Sequence, residues 1–234
     1  MELKDLETVE SRMQKVKKAA QTGDKDAVRQ MTFYERLVAH LEKGKSARGL
    51  ALEEFEEPLM AEMQLLTAKP ILYVCNVDEA SVVDGNGHVE RVQEVAASEG
   101  AGVLVLGAAI EADIAELEDA DERAMFLEDL GLKEPGVAKL IREAYSLLKL
   151  QTYFTAGEKE VRAWTIREGF TAPQSAGVIH TDFEKGFIRA EVMKYADFVD
   201  LGSEQAVKES GKLSVEGKEY VVEDGDIMHF RFNV

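Results

Sequence analysis

Asn76 and Glu79 close the run Lys69-Pro70-Ile71-Leu72-Tyr73-Val74-Cys75-Asn76-Val77-Asp78-Glu79. An asparagine carboxamide can donate and accept along the purine edge that carries N7. An acid three residues later would test the opposite edge. Aspartate there accepts from the ring N–H and exocyclic amine of guanine. Glutamate is longer and does not fit that geometry, which weakens a guanine preference. The plainer alternative is an asparagine that caps the turn after a strand.

Other reactive residue types form no comparable pattern. The four histidines, His40, His88, His180 and His229, show no HExxH and no close ligand pair, so no metal site is expected. Gly44-Lys45-Ser46 resembles the end of a phosphate loop, but position 39 is alanine where that loop needs glycine. A helix rather than a strand precedes it, so Gly44 reads as a helix stop. Asp84-Gly85-Asn86-Gly87 reads as a tight turn. Trp164 reads as core or half-buried surface rather than a base-stacking platform. The acidic run Glu53, Glu54, Glu56, Glu57 reads as a solvated helix start.

The elements that must position Asn76 and Glu79 follow from apolar spacing. Ile71–Cys75 is a continuous apolar run of strand length, as in parallel strands covered on both faces. A polar loop, a helix over Val89–Glu99 that stops at Gly100, and a second strand at Val103–Leu106 complete a βαβ unit. Ligands of α/β folds bind at the carboxyl ends of such strands, where Asn76 stands. Upstream, Leu3, Leu6, Val9, Met13 and Val16, then Ala27, Met31, Tyr34, Val38 and Leu41, predict two amphipathic helices in an antiparallel hairpin. Thr22-Gly23-Asp24 supplies the turn between them, and a third helix is expected over Glu53–Leu66. Further helices are predicted over Glu111–Leu117, Asp121–Leu130 and Gly136–Leu148. From Gln151 the texture changes to short strands around one helix. Hairpins are expected at Thr152–Phe154 with Val161–Arg167, around Ala156-Gly157-Glu158, and at Tyr220–Val222 with Ile227–Phe232. That pattern suggests a β-grasp module.

The chain has 234 residues and a formal net charge of −17, which argues against general nucleic-acid binding. The balance is uneven, with 11 Lys and Arg against 8 Asp and Glu in residues 1–48 and 17 against 37 beyond. Solvated helix faces explain this simply, although the first segment is the mildly basic one. There is no apolar run of membrane-spanning length, and the first residues lack the apolar core of a secretory signal. The one cysteine, Cys75, excludes an internal disulfide and fits a reducing, cytoplasmic setting.

The nucleotide-specificity run resembles that of the YchF (Obg-like) family of P-loop ATPases. Other runs resemble that family too. Asp5-Leu6-Glu7-Thr8-Val9-Glu10 and Gly23-Asp24-Lys25 match its inserted helical hairpin. Gln151-Thr152-Tyr153-Phe154-Thr155, Ala163-Trp164-Thr165-Ile166, Ala176 to Phe183, Lys185 to Val192 and Asp224-Gly225-Asp226-Ile227 match its TGS domain. The resemblance covers nearly the whole chain and corresponds to the C-terminal two-thirds of the family protein.

The resemblance implies an α/β plus α+β chain in three pieces. Residues 1–66 would be the helical, coiled-coil hairpin. Residues 67–150 would be the second half of a P-loop NTPase domain, and residues 151–234 a β-grasp TGS domain. It implies ATP in preference to GTP, with Asn76 on the adenine edge, Val77 giving backbone or stacking contacts, and Glu79 in place of the guanine-selecting acid. Gly107-Ala108-Ala109-Ile110-Glu111 matches the loop whose backbone N–H groups approach the base, which points to Ala108 and Ala109. Gly107 departs from the usual Ser or Cys there. The family's phosphate loop, switch regions and Mg²⁺-binding hydroxyl all precede the hairpin, so these residues are expected not to hydrolyse nucleotide by themselves. The family partner is the ribosome, its setting the cytoplasm, and by charge the hairpin is the surface expected to meet RNA. The rival reading is a nucleotide-independent docking module made of hairpin and TGS domain. If strands that would pair with Ile71–Val74 are missing, residues 67–150 are expected to be less stable than the TGS domain.

Overall fold

A computed structural model describes residues 1–157 and 160–233, which form two compact units, Met1–Lys139 and Leu140–Val234. In the first unit, α1 (Glu2–Gln21) and α2 (Lys25–Leu41) pack as a hairpin. Gly23 takes φ +85° in the turn, and the Asp24 carboxylate accepts from Ala27 N at 2.9 Å to start α2. The apolar stripes meet in a core of Val9, Phe33, Tyr34, Leu37 and Leu41.

The third helix, α3 (Glu56–Met63), is shorter than its apolar spacing predicts. Gln64 adopts φ 50°, which ends it before the buried Leu65. The reading of the acidic run as wholly solvated is corrected at one residue. Glu53, Glu54 and Glu57 are exposed, but Glu56 is 1% exposed. Its position on α3 turns it inward, where it accepts from Arg36 Nη1 at 2.7 Å and from Glu53 N at 2.9 Å.

A second buried carboxylate ties the hairpin to the chain that follows. Asp5 is 2% exposed and accepts from Leu66 N at 2.8 Å, Thr67 N at 2.7 Å and the Thr67 hydroxyl at 2.7 Å. The Thr67 oxygen in turn accepts from Ala47 N at 2.9 Å. The Leu66, Thr67 and Ala47 amides and the Thr67 hydroxyl therefore each find an acceptor.

Next come β1 (Leu72–Asn76), α4 (Gly87–Glu99) and β2 (Gly102–Leu106). The strands pair in parallel, from Leu72 opposite Gly102 to Asn76 opposite Leu106. Asn86 caps α4 through His88 N and Val89 N, and Gly100 at φ 65° ends it. The expectation that β1 is covered on both faces is not met. Val74 is 46% exposed, and Leu104 is the buried residue of the pair. The two-stranded sheet leaves part of an apolar run facing solvent. Three helices follow: α5 (Ala108–Glu116), α6 (Ala120–Asp129) and α7 (Gly136–Leu147). Ile110 and Ile114 of α5 and Leu127 of α6 form a core with Val82 from the segment before α4.

The second unit holds β3 (Leu150–Ala156), β4 (Val161–Arg167), α8 (Ala172–Ile179), α9 (Thr181–Lys185) and β5 (Phe187–Lys194). It continues with α10 (Tyr195–Leu201), α11 (Glu204–Glu209), β6 (Ser214–Glu216) and β7 (Asp226–Phe232). The sheet order is β4-β3-β7-β5-β6, with β3 and β7 parallel and the other pairs antiparallel. Alternation along the strands gives the sheet two cores. Tyr153, Ile166, Ala176, Ala190, Val192 and Met228 form one with α8, and Met193, Val207 and Ile227 form the other with α10 and α11.

The β3–β4 hairpin forms as predicted and is closed by Gly157 N donating to Glu160 O at 2.9 Å; Glu158 of the expected turn lies outside the described residues. The second predicted hairpin does not form. Tyr220–Val222 runs as a strap against the start of α8, with Ala172 N donating to Tyr220 O and Val222 N to Phe170 O. Asp226, fully buried, holds the strap by accepting from Tyr220 Oη at 2.7 Å, Glu223 N at 2.9 Å and Lys194 Nζ at 2.7 Å. The strand after it, β7, pairs with β5 and β3 instead. No helix among the described residues is long and apolar enough to cross a membrane.

Candidate nucleotide-base site

Parallel pairing of β1 with β2 brings Asn76, the last residue of one strand, beside the loop that leaves the other. Val77 N donates to Leu106 O at 2.9 Å, which carries the ladder one step past the strands. The Asn76 carboxamide oxygen then accepts from Ala108 N at 2.8 Å. A backbone N–H can only donate, so the oxygen must face Ala108 and the amide nitrogen must face away. The side chain is thus oriented before any ligand arrives.

The turn after β1 is capped by Asp78, whose carboxylate accepts from Ser81 N at 3.0 Å, and not by Asn76. Asn76 is exposed, as are Glu79, Ala108 and Ala109, while Val77 is half-buried against the core of the following helices. Glu79 begins the short turn Glu79–Ser81. Ala108 and Ala109 are the first two residues of α5. The opening N–H groups of a helix have no carbonyl within it. That of Ala108 is committed to Asn76, and by helix geometry that of Ala109 is left for another acceptor.

Gly107 is buried between these groups. A Cβ there would stand 3.0 Å from Ile110 Cδ1 and 3.3 Å from Val77 O. Both are tighter than ordinary contact, which gives a steric reason for glycine where a serine or cysteine is usual.

One contributor escaped the sequence reading. The Glu111 carboxylate, one turn into α5, accepts from Gly136 N at 2.6 Å and Val137 N at 3.1 Å. It caps α7 from a distance and fixes α5 behind the Ala108–Ala109 amides. A Cβ on Gly136 would come within 2.8 Å of Glu111 Oε1 and 3.0 Å of Leu106 Cβ, so the glycine permits the approach. The available signal was Pro135-Gly136 opening an amphipathic helix without a Ser, Thr, Asp or Asn cap.

Gly44-Lys45-Ser46 lies after α2 and not after a strand, with Gly44 at φ 71°. With His40, Arg48 and Glu99 it lines a cavity of about 350 Å³. Arg48 Nη2 and Tyr73 Oη both donate to Glu99 there, at 2.9 and 3.0 Å. The Arg48 hydrogen bond is the main cause holding the Glu99 carboxyl below the usual carboxylate range. No group of three or more metal-ligating side chains occurs among the described residues. His180 Nδ1 accepts from Asp182 N at 3.2 Å and caps α9, a structural role.

Comparison with known proteins bears on this arrangement. The family model YchF-GTPase_C, described as a protein of unknown function (DUF933), matches residues 150–233. The "Ribosome-binding ATPase YchF" of Bacillus subtilis is 52% identical over 234 residues, covering 99% of this chain and 64% of the relative. The chain belongs to the YchF family. The protein of that name from Escherichia coli O157:H7 is 50% identical over 232 residues. The chain therefore spans about 64% of the length of these curated relatives. A solved structure, the Schizosaccharomyces pombe YchF GTPase, superimposes with a TM-score of 0.86 at 33% identity, covering 98% of this chain and 63% of that one. A GTP-binding protein from Pyrococcus horikoshii shares the fold at TM-score 0.52 and 17% identity, over 83% of this chain and 55% of its own. The α/β character expected from the sequence thus holds in the YchF setting.

Proposed function

We propose that the chain recognises the base of a purine nucleotide, ATP in preference to GTP, within a ribosome-associated ATPase of the YchF family. The observation that carries this reading is the hydrogen bond from Ala108 N to Asn76 Oδ1. With the oxygen engaged, the amide nitrogen is free to donate to N7, which only purines offer. The second lone pair of that oxygen can accept from the exocyclic amine of adenine. Glu79 stands where a shorter aspartate would select guanine. Val77 and the Ala109 amide complete the contacts.

Phosphoryl transfer needs a phosphate cradle, a metal and an oriented water. No G-x-x-x-x-G-K-[ST] run occurs in these 234 residues. On this reading they contribute base recognition, while hydrolysis and Mg²⁺ belong to the whole family protein in the cytoplasm. The division into hairpin (1–66), partial NTPase domain (67–150) and TGS domain (151–234) is part of the proposal. The parallel β3–β7 pair at the centre of an otherwise antiparallel sheet supports a β-grasp form for the last piece.

Calorimetry with ATP, GTP and CTP tests the reading. ATP is expected to bind more tightly than GTP, and CTP not measurably. Asn76→Ala should weaken ATP by roughly three- to tenfold, the worth of one hydrogen bond. Equal affinity for CTP would refute base recognition. Single-turnover ATP cleavage by the purified chain, surviving removal of contaminating ATPases, would refute the division of labour.

The second reading, docking independent of nucleotide, is favoured by the charge balance of residues 1–48 and by the name of the bacterial relatives. Co-sedimentation with ribosomes that is unchanged by ATP would support it over the first.

A further inference from the structure

Glu111 and Gly136 are absent from the set of base-contacting residues, yet the loop that would read the base is built against both. That loop runs from Leu106, the last residue of β2, through Gly107 into the first turn of α5. Its backbone is held at three points. Leu106 O accepts from Val77 N at 2.9 Å, and Gly107 O accepts from Glu111 N at 3.0 Å. Ala108 N donates to Asn76 Oδ1 at 2.8 Å.

Glu111 therefore acts on the loop twice. Its amide closes the first turn of α5 on Gly107. Its half-buried carboxylate reaches 25 residues along the chain to Gly136 N at 2.6 Å and also takes Val137 N at 3.1 Å. Two amides on one carboxylate make a charge-assisted, bidentate clasp. Gly136 is packed against the loop as well, since a Cβ on it would stand 3.0 Å from Leu106 Cβ. The start of α7 thus touches the loop before Gly107 and holds the helix after it. Capping alone does not call for this. The start of α4 is capped by its own Asn86, whereas that of α7 borrows its cap from the helix that carries Ala108 and Ala109.

We infer that Glu111 is a positioning residue for base recognition, acting through its clasp on Gly136 and Val137. The inference rests on the base-recognition reading. Ile110 and Ile114 bury the inner face of α5, but apolar burial has no direction and leaves the helix free to turn slightly about its axis. The clasp is directional, and it lies within one turn of Ala108 and Ala109. A hydrogen bond weakens steeply as its angle falls, so a small turn of α5 would spoil both the Ala108–Asn76 bond and the aim of the Ala109 N–H.

Calorimetry with ATP and CTP on the whole chain tests this, well below each variant's unfolding temperature and with circular dichroism unchanged. Glu111→Ala should weaken ATP by roughly three- to tenfold, the worth of one hydrogen bond. Glu111→Gln keeps an acceptor for the shorter bond and should recover part of that loss. Gly136→Ala keeps Glu111 and introduces the better helix former, but its methyl would come within 2.8 Å of Glu111 Oε1 and displace it. It should weaken ATP about as much as Glu111→Ala does. Glu111→Ala combined with Asn76→Ala should lose less than the product of the two separate losses, because both act through one loop. A cap that only stabilises α7 would lower the unfolding temperature, leave ATP affinity as it was and show no coupling to Asn76. That result, in a chain that still prefers ATP to CTP, would overturn the inference alone. A wild-type chain that binds CTP as well as ATP would overturn base recognition, and this inference with it.

Discussion

Asp5 shows how much one side chain can carry without looking like a functional residue. Three hydrogen bonds converge on a carboxylate that is 2% exposed, two of them from Thr67, also 2% exposed. Asp5→Ala should cost about 3 kcal/mol, because it strands buried donors rather than merely deleting a contact. Chemical denaturation of the variant checks this; a loss under about 0.5 kcal/mol, the usual range of surface substitutions, would show that water replaces the carboxylate freely. Tyr220 offers a pH test. Burial, then the hydrogen bond to Asp226, pushes its phenol from 10.0 up to about 12. Burial works to lower the Lys194 ammonium, but its bonds to Asp226, Glu223 and Tyr220 prevail and hold it above the ordinary lysine value. A phenol raised on folding stabilises the protonated form. Its contribution is complete below pH 10 and disappears as pH rises through about 12. Tyr220→Phe should flatten that part of the alkaline stability profile, and labelled-tyrosine NMR should find Tyr220 still protonated at pH 11.

At the scale of elements, what was legible was local. Asn76 could be placed because an apolar run of strand length ends on it, and α4 because Val89–Glu99 has helical spacing and Gly100 stops it. Asp24 and Gly23 announce the hairpin turn by residue type alone. The misread residues depend on neighbours far along the chain. Glu56 is buried because Arg36, 20 residues away, meets it. Glu111 serves an amide 25 residues away. Tyr220–Val222 flanks a turn signal as a hairpin strand would, but its partners are Phe170 and Ala172 and the Asp226 carboxylate, none of them visible in a local pattern. The Asn76 alternatives were separable only in three dimensions, where Asp78 takes the capping role. Glu111→Ala should cost about 1 kcal/mol, as loss of a helix cap does. Amide exchange should quicken first at Gly136 and Val137, with α5 following; protection unchanged at both amides would show that α7 holds itself.

At the scale of the whole molecule, the two units are built to different standards. The second has a five-stranded sheet with a core on each face. The first carries a two-stranded sheet in which Val74 is 46% exposed. Two strands need outside packing to persist. Limited proteolysis is therefore expected to cut within residues 67–139 first and to leave 150–233 as the durable fragment. The reverse order would show that the helices around β1 and β2 suffice. The measurement that tests the central claim most directly is an amide chemical-shift titration of the chain with ATP, GTP and CTP. The account expects ATP to move the amides of Val77, Glu79, Ala108 and Ala109, GTP to move them less, and CTP to leave them in place. ATP that leaves all four unmoved at saturating concentration, or moves only amides elsewhere, would contradict it.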